Sequence, residues 1–314
     1  MFNEILYDTS SKMNKGFPKI NKLGAVSPFG LPNAFIWKGR VYRLETTDPT
    51  NGLDRSSPII ASIRDRETGE IISRFGHGCY YYNLYQENDT VYVIAVKSVP
   101  PFFGGDTLML YESNNLVCWT CRELVYLPDF WIHNTSLTKG PNGYVLCMLS
   151  EKPKEYVKMN TFSVFFALSE DMYHWTLMDF EHRYPQNRYI GSPFLKYQDG
   201  YFYLLGTEGL PNERYAIYIY RTQDFETWEH GFYNPILMPN KEDRKLSMFA
   251  FDFSLDNINS MRTGFISSNS NVHLCEWNEK TLISYCVGNQ RGFAYSAEAI
   301  YDGTEASFLQ NNFS

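Results

Sequence analysis

Ser192-Pro-Phe-Leu-Lys-Tyr-Gln-Asp-Gly-Tyr-Phe-Tyr-Leu204 places an apolar segment, a polar turn and an aromatic segment in direct succession. Its Asp199-Gly200 dipeptide tolerates positive φ, which is typical of a two-residue β-hairpin turn. Four other stretches follow the same plan, each opened by asparagine, with the turns Lys-Gly, Asn-Asp, Asn-Gly and Asn-Glu. These stretches are Asn33–Leu44, Asn83–Ile94, Asn134–Leu146 and Asn271–Ile283.

A second repeated element lies downstream of three of these hairpins. Each copy is a strand, a polar turn and a tryptophan that opens another strand, and Trp119, Trp175 and Trp228 recur at intervals of about 55 residues. A repeat of this length, made of four short strands, is typical of a propeller blade. The five hairpins therefore predict an all-β fold, a five-bladed β-propeller with four antiparallel strands per blade, in a single domain spanning residues 1–314.

The two ends of the repeat array need separate predictions. We expect the region before Pro32 to supply an outer strand that pairs with the last blade. The run from Gly303 onward is predicted to trail off as the C-terminal end. No part of the chain shows sustained helical periodicity.

Composition narrows the class of protein and its partners. The 314 residues are 44% hydrophobic and 20% charged, which is typical of a soluble globular protein. The net charge of −7 argues against a nucleic-acid or membrane-surface partner. The first residues lack the basic and apolar regions of a secretion signal, so we expect a cytoplasmic protein with reduced cysteines. Cys118 and Cys121 are predicted to lie on opposite faces of a strand rather than to bind metal.

Small polar residues open each of the five repeats. In a propeller the first strand of a blade lines the central axis, so these residues should meet at one end of the channel, with His273 further along it. Such side chains both donate and accept hydrogen bonds, which suits a hydroxyl-rich ligand. Capping of the strand starts is an equally open interpretation. The residues are Asn33, Asn83, Asn134, Ser192 and Asn271.

Two further stretches resemble a known group of enzymes. Ile190–Gly209 resembles a segment of the family 43 glycoside hydrolases, and Cys275–Gly292 with Ala297–Thr304 is similar to the last blade of hydrolase-like relatives. The resemblance is to the clan of families 43, 32, 68, 117 and 130, and it implies a five-bladed propeller that acts on carbohydrate. It is more specific for the fold than for an activity.

The resemblance also implies where catalytic carboxylates should stand. Family 43 enzymes have an aspartate base, a second aspartate that tunes pKa values and a glutamate acid. Placed on their pattern, this chain has Leu31, Asn134 and Gly191 at those positions. Glycoside cleavage needs an acid and a carboxylate base or nucleophile, so the usual mechanism is not expected.

Other groups could carry chemistry or contact a ligand. Glu208, after the second strand of its hairpin, and Asp106, on a glycine-hinged loop, are the candidate relocated catalytic residues, although an exposed loop is the more common place for a glutamate. His77, His133 and His273 lie near predicted axial strand starts, and Trp131 is placed with His133 at the rim. A divalent metal near His273 is an open alternative, but spacing does not bring the three histidines together, so we predict no metal and no cofactor.

Two classes of function fit these observations. The first is a carbohydrate-active enzyme with relocated catalytic residues, acting on a sugar, an oligosaccharide or a sugar nucleotide. The alternative is a catalytically inactive propeller that binds a glycan or docks to a partner protein. The sequence favours a ligand site over a pure scaffold, and it leaves the oligomeric state open.

Overall fold

A computed structural model describes residues 18–47, 59–98, 104–158 and 161–313. The described residues are mostly β-strand, and nearly all neighbouring strands are antiparallel. Among them, no helix combines the length and the apolar character needed to cross a bilayer.

The strands in the described ranges form four sheets. Strand β1 spans Ile20–Ser27 and belongs to the last sheet. The first sheet contains β2 (Asn33–Trp37), β3 (Arg40–Thr47), β4 (Ile60–Asp65) and β5 (Ile71–Phe75). The second contains β6 (Cys79–Glu87), β7 (Thr90–Lys97), β8 (Thr107–Ser113) and β9 (Thr120–Tyr126). The third contains β10 (Ile132–Gly140), β11 (Gly143–Ser150), β12 (Ser163–Ser169) and β13 (Thr176–Leu177).

The remaining sheet has eight strands and divides into two antiparallel halves. One half contains β14 (Gly191–Gln198), β15 (Tyr201–Leu210), β16 (Arg214–Thr222) and β17 (Glu229–His230). The other contains β18 (Ser268–Trp277), β19 (Lys280–Gly288), β20 (Ala294–Tyr301) and β1. The halves are joined at one parallel residue pair, Tyr215 with Ser268.

Tight turns connect the first two strands of every repeat, as the sequence predicted. Each of the five loops has two residues, which leaves the flanking strands in direct antiparallel register. Both loop residues have positive φ at Lys38-Gly39, Asp199-Gly200 and Asn278-Glu279. In the third sheet the loop is Pro141-Asn142 rather than the predicted Asn142-Gly143, and Gly143 begins the next strand with φ of 115°.

The tryptophan element also repeats in its hydrogen bonds. A serine or threonine hydroxyl accepts from the backbone N–H three residues later, at Leu116, Met172 and Phe225. These three residues all have φ near 62°. Each tryptophan Nε1 then donates to the carbonyl of that residue, at 3.3 Å in all three copies.

Buried apolar side chains fill the spaces between successive sheets. Five such clusters are present among the described residues, and each draws its members from adjoining sheets or half-sheets. The first strands of the repeats contact one another in cyclic order, β2, β6, β10, β14, β18 and back to β2. These five strands are called the inner strands below.

Two connections tie the last half-sheet to the beginning of the described chain. Strand β1 pairs antiparallel with β20, which is the outer strand predicted from the region before Pro32. Glu298 of β20 forms ion pairs of 2.9 Å with Arg43 and with Arg66, and all three side chains are almost wholly buried. Apolar packing and buried charge therefore both hold the last half-sheet against the first sheet.

The sequence missed the helices. Helix α1 spans Lys154–Val157, α2 spans Leu255–Thr263 and α3 spans Glu305–Asn311, with 3-10 turns at Phe180–His182 and Lys241–Arg244. The prediction that the C-terminal run trails off was wrong, because the Thr304 hydroxyl caps α3 and α3 buries Phe308 and Leu309 completely. Such short helices have too few turns for a periodic pattern to be visible.

Candidate functional site

The polar residues that open the five repeats border one small cavity at one end of the inner strands. The cavity has a volume of about 20 Å³, close to the space that one water molecule needs. We call it the axial cavity. It is lined by Asn33, Asn83, Asn134, Ser192 and Asn271, together with Leu31, Tyr81, Tyr82, Thr135, Pro193 and Val272.

β-Bulges shape this end of the inner strands. The pairing register shifts within β6, β10, β14 and β18, and the residues at the equivalent bulged position are Tyr81, His133, Ser192 and Asn271. Tyr81, Ser192 and Asn271 have φ between 48° and 55°, and Leu31, just before β2, has φ of 61°. Such backbone conformations are uncommon for bulky residues and concentrate at functional sites, where bulges redirect side chains.

The bulges correct one detail of the predicted repeat. Ser192 and Asn271 occupy the bulged position itself, whereas Asn83 lies two residues further along its strand and Asn134 one residue further. The five polar residues are therefore not strictly equivalent. They still reach one cavity because the bulges bring side chains from successive positions to the same level.

Asparagine side chains interact across the cavity. Nδ2 of Asn83 donates to Oδ1 of Asn33, and Nδ2 of Asn134 donates to Oδ1 of Asn271, both at the long distance of 3.4 Å. Oδ1 of Asn33 also accepts from the backbone N–H of Leu84 at 3.1 Å. These contacts support the capping interpretation for Asn33, since its amide oxygen satisfies a backbone donor of the neighbouring inner strand.

Other polar atoms around the cavity have no protein partner. Oδ1 of Asn83 and Oγ1 of Thr135 are buried without a hydrogen bond to any described residue. Nε2 of His133, beside the cavity, is likewise buried and unpaired within the described ranges. Because buried polar atoms nearly always have partners, these three indicate bound water or a ligand group.

A row of aromatic rings begins at Tyr81, which lines the axial cavity. The ring of His133 lies 5.7 Å from that of Tyr81 and 4.8 Å from that of Phe162, and Phe162 continues to Tyr189 and then to Tyr215. Burial raises the pKa values of Tyr81 and Tyr189 to about 12, and it lowers the pKa of His133. The tyrosines are therefore neutral hydrogen-bonding groups at pH 7. We call these five rings the aromatic row.

The three positions that the resemblance assigned to carboxylates are distributed around this site. Leu31 and Asn134 line the axial cavity. Gly191 lies next to Ser192 and faces the aromatic row, since a Cβ built on it would stand 2.7 Å from the hydroxyl of Tyr189. Of the described residues that line the cavity, none is acidic or basic.

Glu208 is not among the residues that line the axial cavity. It is buried on β15, where Oε1 accepts from Nε of Arg188 at 2.7 Å and from the hydroxyl of Tyr220. The placement after the second strand was therefore wrong, since Glu208 lies within β15, and the alternative of an exposed loop does not hold either. Two donors on one carboxylate oxygen hold this group, one of them in an ion pair with Arg188 of the segment before β14. The ion pair was not predicted, because Arg188 lies outside the hairpin.

The other predicted residues occupy separate places. Asp106 precedes β8, where its carboxylate accepts from the Thr107 hydroxyl at 2.9 Å. His77 is exposed, and Trp131 is half-buried with the ammonium of Lys152 5.3 Å from its ring. None of these three lines the axial cavity.

His273 lies further along the channel than the polar residues, as the repeat predicted. It is buried, its ring is 5.0 Å from that of Phe194, and Nε2 lies 3.2 Å from the carbonyl oxygen of Leu84. Burial lowers the pKa of His273 to about 4. No cluster of three potential metal ligands occurs among the described side chains, so the three-histidine alternative has no ligand set there.

Sequence reasoning missed Tyr81, Thr135 and the aromatic row. In the sequence Tyr81 is one of three consecutive tyrosines of a predicted strand, and only the bulge in β6 brings it to the axial cavity. Thr135 follows Asn134 and would face away from it in a regular strand. The available signal was the excess of aromatic residues, which does not show where the rings gather.

Solved structures, and not sequence relatives, show which known proteins this fold resembles. No family profile matches the sequence, and no curated protein matches it. Solved structures of glycoside hydrolases do match. A thermostable family 43 glycoside hydrolase is 11% identical with a TM-score of 0.57, and the alignment covers 89% of this chain and 90% of that one.

Two further matches carry the names of specific enzymes. The family 43 endo-arabinanase from Bacillus licheniformis is 9% identical with a TM-score of 0.52, covering 88% of this chain and 94% of that one. The family 32 β-fructofuranosidase of Bombyx mori is 12% identical with a TM-score of 0.53, covering 94% and 64%.

The chain spans only about half of some of the proteins it matches, such as a family 43 protein of Bacillus licheniformis, of which 53% is covered. At these identities the likeness establishes a shared fold, that of the glycoside hydrolase propellers of families 43 and 32.

Proposed function

We propose that the described residues form a single five-bladed β-propeller domain that binds a neutral, hydroxyl-rich carbohydrate over the axial cavity. Three four-stranded sheets and the two halves of the eight-stranded sheet supply the five blades. The cyclic contacts of the inner strands support this count, as do the five apolar clusters between sheets.

The proposal for the ligand rests on two buried atoms without a hydrogen-bond partner among the described residues, Oδ1 of Asn83 and Oγ1 of Thr135. The axial cavity holds no more than a water molecule, so a sugar ring would lie over it, against the aromatic row. Sugar hydroxyls, or a water beneath them, would complete the hydrogen bonding of these two atoms. Aromatic faces would cover the apolar face of the ring.

Charge favours a neutral ligand over a sugar nucleotide. The described lining of the axial cavity has no cation that could pair with a phosphate. The nearby guanidinium of Arg188 is already paired with Glu208 and with the hydroxyl of Tyr184. A neutral sugar needs no such partner. The endo-arabinanase and β-fructofuranosidase that share the fold are named for neutral carbohydrates, in keeping with this proposal.

We propose binding without cleavage by the paired-carboxylate mechanism. That mechanism places two carboxyl groups roughly 5–10 Å apart across the sugar. The described cavity lining supplies neither, and Glu208 is held by two donors. General acid–base assistance contributes about 10²- to 10⁴-fold per group, so turnover near background is expected.

The decisive experiment measures binding and turnover together. Calorimetric titration with xylobiose, arabinobiose and sucrose should show saturable binding by the wild-type protein and no hydrolysis. Asn83→Ala should weaken binding several-fold to tenfold, because one ligand hydrogen bond is lost. The exposed Asn114→Ala serves as the matched control and should bind like wild type.

Two outcomes would refute the proposal. The first is equal binding by Asn83→Ala and wild type. The second is robust turnover that Glu208→Gln abolishes, which would place catalysis at Glu208.

A further inference from the structure

A second and much larger cavity lies at the opposite end of the inner strands. It has a volume of about 480 Å³, within the range of small-molecule binding pockets. All five inner strands contribute side chains, mostly from their C-terminal halves, and Glu305 of α3 completes the wall. We call it the strand-end cavity.

A buried layer separates this cavity from the axial cavity. The two share no lining residue. His273 and Phe194 lie at its inner end with rings 5.0 Å apart, and Nε2 of His273 bonds across to the carbonyl of Leu84. A ligand in one cavity therefore does not enter the other, and their occupancy can be tested separately.

The wall offers both ring faces and hydrogen-bonding groups. Tyr85 and Tyr197 are half-buried, and each is held by a neighbouring ring, at 6.1 Å from Tyr92 and 4.8 Å from Phe202. Gln86 adds a half-buried amide beside Tyr85. Rings fixed in this way offer contact area with little loss of conformational entropy on binding.

One buried polar atom at the inner end has no partner. Nε2 of His273 donates to Leu84, and burial keeps the ring neutral at pH 7, so Nδ1 is left as an acceptor. Nδ1 is buried without a hydrogen bond to any residue in the described ranges. The backbone of Ala34 also lies close to this ring, and a hydroxyl group of a ligand or a water placed at Nδ1 is the complementary donor.

Both lysines of the wall are in ion pairs, and the remaining carboxylate, Glu276, accepts from the backbone N–H of Glu305 at 3.1 Å. Lys196 forms an ion pair of 2.8 Å with the buried carboxylate of Glu305, and Lys139 is paired with Glu87. An anionic ligand would have to compete with these carboxylates. Neutral hydroxyls can instead donate to the carboxylate oxygens of the Lys196–Glu305 pair without breaking it.

We propose that the strand-end cavity is a second binding site, which takes a neutral polyhydroxylated molecule of the size of a mono- or disaccharide. The ligand stacks against Tyr85 and Tyr197 and hydrogen-bonds to the Lys196–Glu305 pair. Its hydroxyl groups reach toward Nδ1 of His273. This site does not depend on the function proposed for the axial cavity.

Titration of the full chain with sucrose, xylobiose and maltose tests the proposal, with crystals soaked in the bound sugar to locate it. Tyr197→Ala should weaken binding at this site roughly tenfold through loss of the stacked ring. Gln86→Trp should abolish it by filling the cavity and should leave the fold intact, because Gln86 is half-exposed. Tyr173→Ala, which removes an exposed tyrosine elsewhere, is the control.

The variants separate the two sites. Binding that Gln86→Trp and Tyr197→Ala weaken, and that Asn83→Ala leaves unchanged, supports the strand-end site whatever happens at the axial cavity. The proposal is overturned if none of the three sugars binds saturably. It is equally overturned if Gln86→Trp binds as tightly as wild type and the soaked sugar lies only over the axial cavity.

Discussion

The hydroxyl of Tyr189 lies over Gly191, so that a Cβ at residue 191 would stand 2.7 Å from its oxygen and 3.3 Å from Cζ. Gly191 is the position that the sequence resemblance aligned with the acid of family 43 enzymes. Here a tyrosine hydroxyl fills the space into which a side chain at 191 would extend.

Gly191→Ala should therefore destabilise the protein by about 1–3 kcal/mol through overpacking. Chemical denaturation would measure the change in the free energy of unfolding. Tyr189→Phe removes the closest atom, so the double variant should be more stable than the sum of the two single effects predicts. Strict additivity would show that the two residues do not collide.

The ion pair between Glu208 and Arg188 predicts a structural cost for Glu208→Gln. The change leaves the half-exposed Arg188 without its carboxylate, which we expect to lower the free energy of unfolding by roughly 1–3 kcal/mol. Glu229→Gln, which alters the more exposed pair with Arg221, should cost no more than about 1 kcal/mol. Equal effects of the two variants in urea denaturation would contradict this assignment.

Loss of Glu298 should be more costly than loss of any exposed carboxylate. Glu298→Gln removes the carboxylate that pairs with the buried Arg66 and leaves Arg43 with only its longer contact of 3.4 Å to Glu45, and we expect a loss of about 3–5 kcal/mol. Asp302→Asn, in the exposed pair with Lys280, is the matched control and should cost less than about 1 kcal/mol. The prediction fails if thermal melting of Glu298→Gln matches that of the control.

His273 should make stability depend on pH below neutrality. Burial lowers its pKa from the ordinary 6.5 to about 4, so the unfolded chain binds a proton across this interval and the folded chain does not. Its contribution is fully present above pH 6.5 and is lost as the pH falls to 4, by roughly 3 kcal/mol. His133, whose pKa burial also lowers, adds a loss in the same direction.

His273→Gln should flatten this part of the stability curve, as measured by urea denaturation at successive pH values. His77→Gln changes an exposed histidine and should leave the slope intact. If the free energy of unfolding of His273→Gln depends on pH as steeply as that of the wild type, the proton is taken up on unfolding by other groups.

The local chemistry of turns was readable in the sequence, and the register of the inner strands was not. Asp199-Gly200 requires positive φ, and that requirement is carried by the two residues themselves. The bulge at Tyr81 depends on how β6 pairs with β7, and a bulge moves side chains to another level without a change in composition. Pattern reasoning therefore found the axial asparagines and missed Tyr81 and Thr135.

Long-range contacts are the other feature of the structure that could not be predicted from the sequence. The partner of Glu208 is Arg188, and nothing in the spacing of these residues predicts that they meet. The volumes of the two cavities likewise depend on how five strands pack together. The sequence pattern predicted polar residues at the end of the inner strands where the axial cavity lies, whereas the larger strand-end cavity lies at the other end.

The pairing of β1 with β20 also has a kinetic consequence. As the chain leaves the ribosome, β1 appears first among the described strands, but its partner appears only after β2–β19 have been made. The edge of β1 therefore stays unpaired during most of synthesis. Unpaired strand edges are prone to wrong association. The final closure joins segments far apart in sequence, so we expect it to be a slow step of folding.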